Sequence, residues 1–380
     1  YQKVLMEALI KAEPGSVIEI PPGVHEITRG LSLKVDGVTI KGAGKEKSVL
    51  SFRNQIQGSE GLMINADDIR LEDFAVEDTV GDAIKINECR NLVIDGVRVE
   101  WTNGPDTDNG AYGLYPVQCE NVLIENSVAI AASDAGIYVG QSEHVVVRNS
   151  RAEFNVAGIE IENTSFADVY ENVATSNTGG ILVFNMPNLP KPGASTRVFK
   201  NEVYGNNTAN FAPEGGAVAG VPAGSGILIN SNDLVEVFDN DIRDNETANI
   251  IISSFFSSNY TERSAQPDFD PFPEIIYIYN NRFSGGGSDP DRADLKALKL
   301  ARYGLNGSFP DILWDGVVNK NLLVEGRLPP DRSICIPNEN VVMLNIDMGN
   351  DFANVTEDMT GHRCSHDKLA AVVLDIVGAE

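Results

Sequence analysis

The feature that most constrains the fold of this chain is a short apolar motif that returns at nearly constant spacing. Each copy is a small residue followed by an apolar–variable–apolar triplet. Seven copies begin at Gly61, Ala83, Gly113, Gly136, Gly158, Gly180 and Gly226. Successive copies start 22, 30, 23, 22, 22 and 46 residues apart, so most units contain 22 or 23 residues and two carry insertions. Repeats of this length are typical of solenoid proteins, in which every unit packs on its neighbours.

Each unit contains two further apolar alternations after the first one. In the unit that begins at Ala83 they are residues 92–94 and 97–99. Strands this short do not form hairpin sheets, and the absence of a helical pattern between them excludes βαβ units. We therefore predict an all-β chain that folds as a right-handed, three-sided parallel β-helix, a solenoid of about ten coils.

Residue position within a coil predicts which side chains are buried. The first and third residues of a strand point inward and the middle residue points outward, because side chains alternate along a strand. Asn, Asp, Gly and Ser gather at the corners, where tight bends occur. Asn91 and Asn121 occupy one corner of successive coils and suit a stacked amide ladder, in which His144 would take the next place.

We expect one domain, residues 1–380, with three parts: an N-terminal helical cap (1–16), regular coils (17–284), and irregular C-terminal coils with a tail (285–380). Residues 4–12 have helical spacing and are followed by Pro14, which predicts a short capping helix. The glycine- and aspartate-rich stretch 285–294 is predicted to be a loop.

Composition restricts the partners and the compartment. A formal net charge of −26 repels nucleic-acid phosphate, so nucleic acid is excluded as a partner. There is no run of 18 apolar residues, which predicts no transmembrane segment. The four cysteines contain no CxxC pair of the kind that binds zinc. Cys335 and Cys364 both lie in the irregular C-terminal part and are candidates for a disulfide, which an extracytoplasmic compartment would permit.

Two stretches of sequence resemble known β-helix proteins. The segment VIEIPPGVHEI, with LSLKVDGVTIKGAG after it, is similar to the opening of the pectate-lyase-like superfamily, many members of which act on acidic polysaccharides. From Asp82 to Asn281, segments such as SDAGIYVGQS and NTGGILVFNMPNLP resemble a family of bacterial extracytoplasmic parallel β-helix repeat proteins. The resemblance implies the fold and a periplasmic, outer-membrane-associated or secreted location. It implies no particular activity, since the mannuronan epimerase motif DPHD and the polygalacturonase motif GHG are absent.

The outward residues of the first strand form a row in which four successive coils carry polar side chains. These are Lys85, Tyr115, Tyr138 and Glu160. Lyases and C5-epimerases of uronic acids need a group that neutralises the carboxylate, together with an acid and a base at C5. A lysine can lower the pKa of a neighbouring tyrosine. We assign Lys85 as the neutralising group, the two tyrosines as the acid–base pair and Glu160 as an orienting residue.

The same row supports other interpretations. Glu160 could form a hydrolase pair with another carboxylate such as Asp134. Aromatic side chains on a flat sheet also bind sugar rings, so the alternative is a non-enzymatic carbohydrate- or partner-binding envelope or extracellular protein. Outward residues of a sheet can also be merely solvated, since tyrosine suits strands on propensity alone.

Three insertions, residues 186–195, 207–224 and 254–273, are long for a compact fold and are predicted to line a groove beside Glu160. We expect all three to follow strands on the same side of the stack. The cationic groups expected in this groove are Lys191, Arg197 and Arg263, and Asp134 is assigned with Lys191 and Arg197 to binding of a polysaccharide or oligosaccharide.

No cofactor follows with certainty from the sequence. Three acidic pairs lie in predicted loops: Asp106 with Asp108, Asp268 with Asp270, and Asp289 with Asp291. Carboxylate oxygens are the ligands that Ca²⁺ prefers, so Ca²⁺ is the one metal that the sequence suggests. In so acidic a chain, the alternative is that these pairs are solvated surface.

Overall fold

The computed structural model describes residues 1–258 and 268–376. In this part of the chain, the backbone winds repeatedly through three parallel sheets, A, B and C, in that order, and only the last turn passes from sheet A to sheet C without a strand of sheet B. Each strand pairs with the strands one turn before and one turn after it. The predicted right-handed, three-sided parallel β-helix is therefore confirmed.

The strands are numbered in chain order. Sheet A has 11 strands: β1 (Val17–Glu19), β4 (Thr39–Lys41), β7 (Ile69–Glu72), β10 (Arg90–Asp95), β13 (Glu120–Glu125), β16 (Glu143–Arg148), β19 (Ser165–Tyr170), β22 (Ala194–Phe199), β25 (Asp233–Phe238), β28 (Ile276–Tyr279) and β31 (Ile334–Cys335). Sheet B has 10: β2 (Gly23–Glu26), β5 (Ser48–Ser51), β8 (Ala75–Glu77), β11 (Arg98–Glu100), β14 (Val128–Ile130), β17 (Arg151–Glu153), β20 (Val173–Thr175), β23 (Glu202–Tyr204), β26 (Asp241–Arg243) and β29 (Arg282–Ser284). Sheet C has 11: β3 (Arg29–Leu33), β6 (Gln57–Ile64), β9 (Ile84–Asn87), β12 (Tyr112–Val117), β15 (Ala135–Gly140), β18 (Ala157–Glu162), β21 (Gly179–Phe184), β24 (Ser225–Asn230), β27 (Ala248–Ser253), β30 (Ile312–Trp314) and β32 (Met343–Asn345).

The core consists of rows of aliphatic side chains inside the coils. In sheet C the register joins Ile137 to Ile159 and Ile159 to Ile181, and all three are fully buried. Because the side-chain period of a strand is two, this register also fixes which residues face outward.

The predicted amide ladder is present at the corner between sheets C and A. Asn91 and Asn121 both have positive φ, and Nδ2 of Asn121 donates to Oδ1 of Asn91 at 3.2 Å. His144 takes the next place with φ 54°, and its ring stacks on Phe166 with centroids 5.2 Å apart. The ladder therefore continues as a ring stack.

Two longer ladders, which the sequence analysis did not predict, are buried at the other corners. One contains Asn172, Asn201, Asn240 and Asn281, and the other contains Asn155, Asn177, Asn206 and Asn245. In the second ladder, Oδ1 of Asn177 accepts from the backbone N–H and from Nδ2 of Asn155, both at 3.0 Å. Each side chain thus satisfies backbone groups that the bend would otherwise leave unpaired.

The described residues contain two α-helices. Helix α1 (Gln2–Ile10) lies at the N-terminal end and buries Leu5 and Leu9 against the first coils, as predicted for a cap. Helix α2 (Ala293–Tyr303) corrects the prediction of a loop over 285–294, since it begins inside that stretch. Its residue Leu295 packs against Leu313, so tertiary packing stabilises a helix that the local sequence signals only weakly. Single 3₁₀ turns occur at Ala217–Gly220, Phe255–Ser257, Lys320–Leu322, Pro330–Arg332 and Met348–Asn350.

The four cysteines form two disulfides. The predicted Cys335–Cys364 bond is present. A second bond, which was not predicted, joins Cys89 and Cys119, whose Cα atoms lie 4.5 Å apart on adjacent coils. Within the described part of the chain, no helix has the length and apolar character needed to cross a membrane.

The C-terminal segment, residues 365–376, lies across the outer face of sheet A. Val372, Leu374 and Ile376 pack on an outward apolar row formed by Val93, Leu123 and Val146. The exposure of the segment alternates, and Val373 is 80% exposed. The C-terminal segment therefore covers part of the outer face of sheet A, and different segments of the chain cover sheet C.

Candidate functional site

The polar row predicted from the sequence lies on the outer face of sheet C. Lys85 is in register with Tyr115, and Tyr138 is in register with Glu160. Pairing of Leu114 with Ile137 sets Tyr115 beside Tyr138. The four side chains are therefore neighbours, but they do not form an open strip, because Tyr138 and Glu160 are only 3% and 1% exposed.

A third tyrosine joins the two that were predicted. The ring of Tyr112 lies 4.3 Å from that of Tyr115 and 4.7 Å from that of Tyr138, measured between centroids. Tyr115 and Tyr138 meet edge to face at 4.9 Å. Tyr112 is in register with Ala135, and this small neighbour leaves space on the outer face for the rings.

Three carboxyl groups lie beside the tyrosines, namely Asp134, Glu160 and Glu162, none more than 9% exposed. Tyr112 Oη donates to Oδ2 of Asp134 at 3.2 Å. Glu162 lies beside Tyr138 and Glu160, and both oppose the rise of its pKa that burial causes. In the described part of the chain, Oδ1 of Asp134 and Oε2 of Glu160 have no hydrogen-bond partner. We call these three tyrosines and three carboxyl groups the tyrosine–carboxyl cluster.

Burial makes the carboxyl groups of the cluster weak acids. Loss of solvation raises the pKa of Asp134 and that of Glu162 to about 7 each. Burial raises the pKa of Glu160 well above its usual range, and the charges of Asp134 and Glu162 raise it further.

The tyrosines are also weaker acids than free tyrosine. Burial and the neighbouring carboxyl groups raise the pKa of Tyr112, Tyr115 and Tyr138. The expectation that Lys85 lowers the pKa of Tyr115 is therefore wrong in direction. The physical reason is that desolvation and several nearby acids outweigh one lysine. At neutral pH these tyrosines are hydrogen-bond donors and proton donors, not bases.

Lys85 lies at the more exposed edge of the cluster. Its Nζ is 4.8 Å from the centroid of the Tyr115 ring and 3.5 Å from Oδ2 of Asp82, and its side chain is 24% exposed. Burial raises the pKa of Asp82, and the charge of Lys85 opposes that shift. A ligand carboxylate that reached this edge would compete with Asp82 for Lys85.

Two features hold the Tyr138 phenol in place. Nε2 of Gln141 donates to Tyr138 Oη at 3.2 Å. The ring also occupies the space beside Gly140, where an added Cβ would lie 2.2 Å from the phenol oxygen. Gly140 therefore determines where the ring lies.

The insertion at residues 207–224 covers the cluster. Phe211, Val218 and Val221 of this insertion pack with Tyr138 and Leu182 on the outer face of sheet C. A second loop supports it, since Oγ1 of Thr107 donates to the carbonyl oxygen of Phe211 at 2.9 Å. We call residues 207–224 the covering insertion.

The expectation that all three insertions follow strands on one side is wrong. The covering insertion lies between β23 of sheet B and β24 of sheet C, whereas 186–195 and the described part of 254–273 follow strands of sheet C. They therefore start from opposite edges of sheet C. The spacing of the repeat did not predict this difference, because an insertion interrupts the repeat and the sequence then does not show which strand the insertion follows.

The cationic side chains predicted for the groove lie elsewhere. Nζ of Lys191 binds Oε1 of Glu143 at 2.8 Å, at the start of a strand in sheet A. Arg197 lies in sheet A, where its guanidinium binds both oxygens of Asp168 at 2.9 and 3.1 Å. Neither is at the tyrosine–carboxyl cluster, and Arg263 lies outside the described residues. The register of the strands places Arg197 on a different sheet from Glu160.

The acidic loop pairs act locally as turn-forming groups. Oδ1 of Asp106 accepts from the backbone N–H of Asp108 at 2.9 Å, and Oδ1 of Asp270 accepts from that of Phe272 at 3.1 Å. Across residues 1–258 and 268–376, no group of three or more His, Cys, Asp or Glu residues is arranged to hold a metal ion.

The sequence analysis missed three members of this region, Asp82, Tyr112 and Glu162. Glu162 had a clear signal, since it lies two residues after Glu160 and therefore on the same face of the strand. Asp82 and Tyr112 each precede a residue of the predicted row by three positions, where the chain enters the strand and simple alternation does not apply.

Comparison with known proteins agrees with the fold. The family model described as "Right handed beta helix region" matches residues 34–191. The A-module of mannuronan C-5 epimerase AlgE4 from Azotobacter vinelandii superposes with a TM-score of 0.51 at 18% identity, over 75% of this chain and 91% of that chain. DFA-IIIase from Arthrobacter chlorophenolicus A6 gives 0.45 at 11% identity (80% and 83%), and alginate lyase from Paenibacillus sp. str. FPU-7 gives 0.33 at 14% (75% and 96%). No curated protein sequence matches the chain.

The strand order shows a right-handed parallel β-helix fold, and the family model matches residues 34–191 of it. At 18% identity, the likeness to the epimerase module concerns the fold alone.

Proposed function

We propose that this chain is a carbohydrate-active enzyme that transfers protons at a glycan held against the outer face of sheet C. The observation that carries this proposal is the tyrosine–carboxyl cluster, in which protonated phenols adjoin carboxyl groups whose pKa values lie near neutrality. General acid–base catalysis is most efficient when the pKa of the catalytic group is close to the working pH, and Asp134 and Glu162 have pKa values of about 7.

Uronic-acid polysaccharides are the substrate class that we propose first, with lyase or C5-epimerase chemistry. Lys85 is at the exposed edge and supplies a positive charge for the uronate. Protonated carboxyl groups and phenols nearby can donate hydrogen bonds to the same carboxylate. In this scheme Asp134 or Glu162, once ionised, removes the C5 proton. A tyrosine then protonates either the leaving O4, which gives elimination, or the opposite face of C5, which gives the epimer.

The covering insertion sets a condition on this proposal. Tyr138, Glu160 and Glu162 are buried beneath it, so a glycan can reach them only when residues 207–224 move away from sheet C. Movement of a covering segment that excludes water during reaction is common in enzymes with buried acid–base groups.

The two reactions need one measurement each, because epimerisation returns a solvent proton to C5 whereas elimination leaves C5 in a double bond without hydrogen. The protein would be incubated in D₂O with alginate, pectate and other uronate polymers. Deuterium at C5, measured by NMR and mass spectrometry, reports epimerisation, and ultraviolet absorbance of the unsaturated product reports elimination. We expect one of these two signals with the wild type and a loss of that signal of roughly 10²- to 10⁴-fold in Glu162→Gln and in Tyr138→Phe.

Two further variants make the test specific. Gly140→Ala displaces the Tyr138 ring without removing any acid or base, and should lower the rate with little effect on the melting temperature. Lys191→Ala removes a lysine that binds Glu143 on sheet A and should leave the rate unchanged. If no polymer gains deuterium at C5 and none gives the unsaturated product, the lyase and epimerase chemistry is wrong.

Hydrolysis of a glycosidic bond is the second candidate function. It is favoured by the contrast between Glu160, whose pKa burial and neighbouring charges raise well above its usual range, and Asp134, whose pKa is about 7, because hydrolases combine one acid with one base or nucleophile. New reducing ends without C5 deuterium and without the unsaturated product, lost in Glu160→Gln, would support this function. If polymer binding occurs with neither reaction, the chain is a carbohydrate-binding protein.

A further inference from the structure

A partly enclosed apolar cavity lies on the same face of sheet C, beyond the tyrosine–carboxyl cluster. Its base is formed by Leu228, Ile251 and Leu313, outward residues of three successive strands. Val221 of the covering insertion and Leu295 of helix α2 close it from above. Strands of sheet C thus form the base of the cavity, and segments outside the repeat close it.

The cavity is too small for a sugar ring. Its volume is about 90 Å³. A dry cavity of about 150 Å³ is known to hold benzene, so this one suits a group of a few heavy atoms. The apolar lining requires that most of such a group be apolar.

The charged groups that line the cavity have hydrogen-bond partners of their own. Arg292 binds both carboxylate oxygens of Asp294, at 3.2 and 2.6 Å. Oδ2 of Asp315 accepts from the backbone N–H and hydroxyl of Ser254, at 2.6 and 2.8 Å, and Oδ1 accepts from the N–H of Val317 at 2.9 Å. Because these groups are already bonded and the rest of the lining is apolar, the cavity favours a neutral occupant.

The hydroxyl group of Ser253 supplies a hydrogen-bond donor on the lining. The hydroxyl oxygen of Ser253 accepts from Nδ2 of Asn230 at 2.9 Å, which directs its own proton elsewhere. Within residues 1–258 and 268–376, that proton has no acceptor. A small neutral group with an apolar body and one acceptor oxygen therefore matches both the lining and the donor.

We propose that this cavity is a subsite for a short acyl ester, such as an O-acetyl substituent on the glycan. The identity of the carrier rests on the proposed function, but binding of the ester does not. The register joins Glu160 to Leu182 and Leu182 to Leu228, so the cavity begins two coils, or roughly 10 Å, from Glu160. A glycan lying along the helix axis would place the substituent on a sugar near, but not at, the reacting unit.

Methyl-resolved NMR with ethyl acetate tests the subsite without any turnover. We expect saturable shifts of the methyl signals of Leu228, Ile251 and Leu313. Sodium acetate, which carries a charge, should cause none. Cyclopentane, which has no acceptor, serves as the apolar control. Ser253→Ala should weaken ethyl acetate binding roughly threefold to tenfold and leave cyclopentane binding unchanged.

Two results would overturn the proposal: absence of saturable shifts with ethyl acetate, or equal ethyl acetate affinity in the wild type and Ser253→Ala. Ile251→Phe, which fills the cavity, should abolish binding, and the conservative Ser253→Ala keeps the test decisive if the larger side chain prevents folding.

The role of the glycan is tested with Glu160→Gln, which should bind O-acetylated alginate more tightly than the same sample after de-O-acetylation. Equal affinities would overturn the assignment to a glycan substituent. C5 exchange is a separate measurement, so failure of the subsite and failure of the proposed function remain distinguishable.

Discussion

At the scale of single residues, buried acids distinguish the outer face of sheet C from ordinary sheet surface. Glu162 lies beside Glu160 and Tyr138, and Gln141 donates to the oxygen of Tyr138. These buried groups therefore influence one another's protonation. Burying several carboxyl groups with few cations nearby is tolerated because they remain protonated below neutral pH.

This arrangement predicts that stability falls as the pH rises. The pKa values of Asp134 and Glu162 rise from 3.8 and 4.5 to about 7 on folding, so between these values the folded state binds more protons than the unfolded state. The free energy of unfolding must then decrease with increasing pH across that interval, and the contribution is complete only below pH 4. Melting temperatures measured from pH 4 to pH 8 should show this decline.

Glu160→Gln and Glu162→Gln should each make that decline shallower, since each removes a group that must ionise in the buried cluster. Glu13→Gln, at an exposed position, is the matched control and should leave the slope as it is in the wild type. A wild-type slope in both cluster variants would show that these acids do not titrate as buried groups.

At the scale of elements, the corners are held by side-chain ladders as much as by backbone. Asn177 connects three coils, since it accepts from Asn155 and donates to Oδ1 of Asn206 at 2.9 Å. Its Nδ2 also donates to the carbonyl oxygen of Ala152 at 3.0 Å. All of these groups are buried, so no water replaces a lost partner.

Asn177→Ala should therefore destabilise the protein by about 1–3 kcal/mol, because the backbone N–H of Asn155 is left buried without an acceptor. Denaturant unfolding would measure the change. Asn103→Ala, at an exposed loop position, should change the midpoint by less than about 0.5 kcal/mol. Equal effects of the two substitutions would mean that the ladder contributes little to stability.

Elements also differ in how well the sequence predicts them. The strands of sheet C follow the 22-residue spacing, and the predicted outward residues Lys85, Tyr115, Tyr138 and Glu160 do lie on that face. Helix α2 was missed, because its apolar residues Leu295 and Leu298 are stabilised by contacts with the last coils. A local sequence pattern predicts an element correctly when the neighbouring coils repeat that pattern. It fails for an element such as helix α2, which has no counterpart in the other coils.

At the scale of the whole molecule, two segments outside the repeat decide which surfaces are accessible. The covering insertion lies on sheet C and the C-terminal segment lies on sheet A. Arg197, predicted to bind substrate, instead belongs to the second contact. Its Nη1 donates to the carbonyl oxygen of Leu369 at 3.4 Å, while Asp168, its ion-pair partner, accepts from the backbone N–H of Val372 at 3.1 Å.

Leu374→Asp should release the C-terminal segment from sheet A, since it places a charge against Val93, Leu123 and Val146. We expect faster proteolysis after residue 364 and stronger binding of a hydrophobic dye. Val373→Asp is the matched control, because Val373 is next in sequence but 80% exposed. The contact would be discounted if both substitutions gave the same proteolysis rate.

The repeat alone determined that this chain is a parallel β-helix, which residues face inward, and that Lys85, Tyr115, Tyr138 and Glu160 share a face. These properties follow from the alternation of side chains within a strand and from stacking of equivalent strands, both of which are periodic in the sequence. Only the tertiary structure decided that this face is covered, that Tyr112 joins it, and that Arg197 lies on another sheet. Those features depend on contacts between aperiodic insertions and distant coils, and such contacts leave no regular pattern in the order of residues.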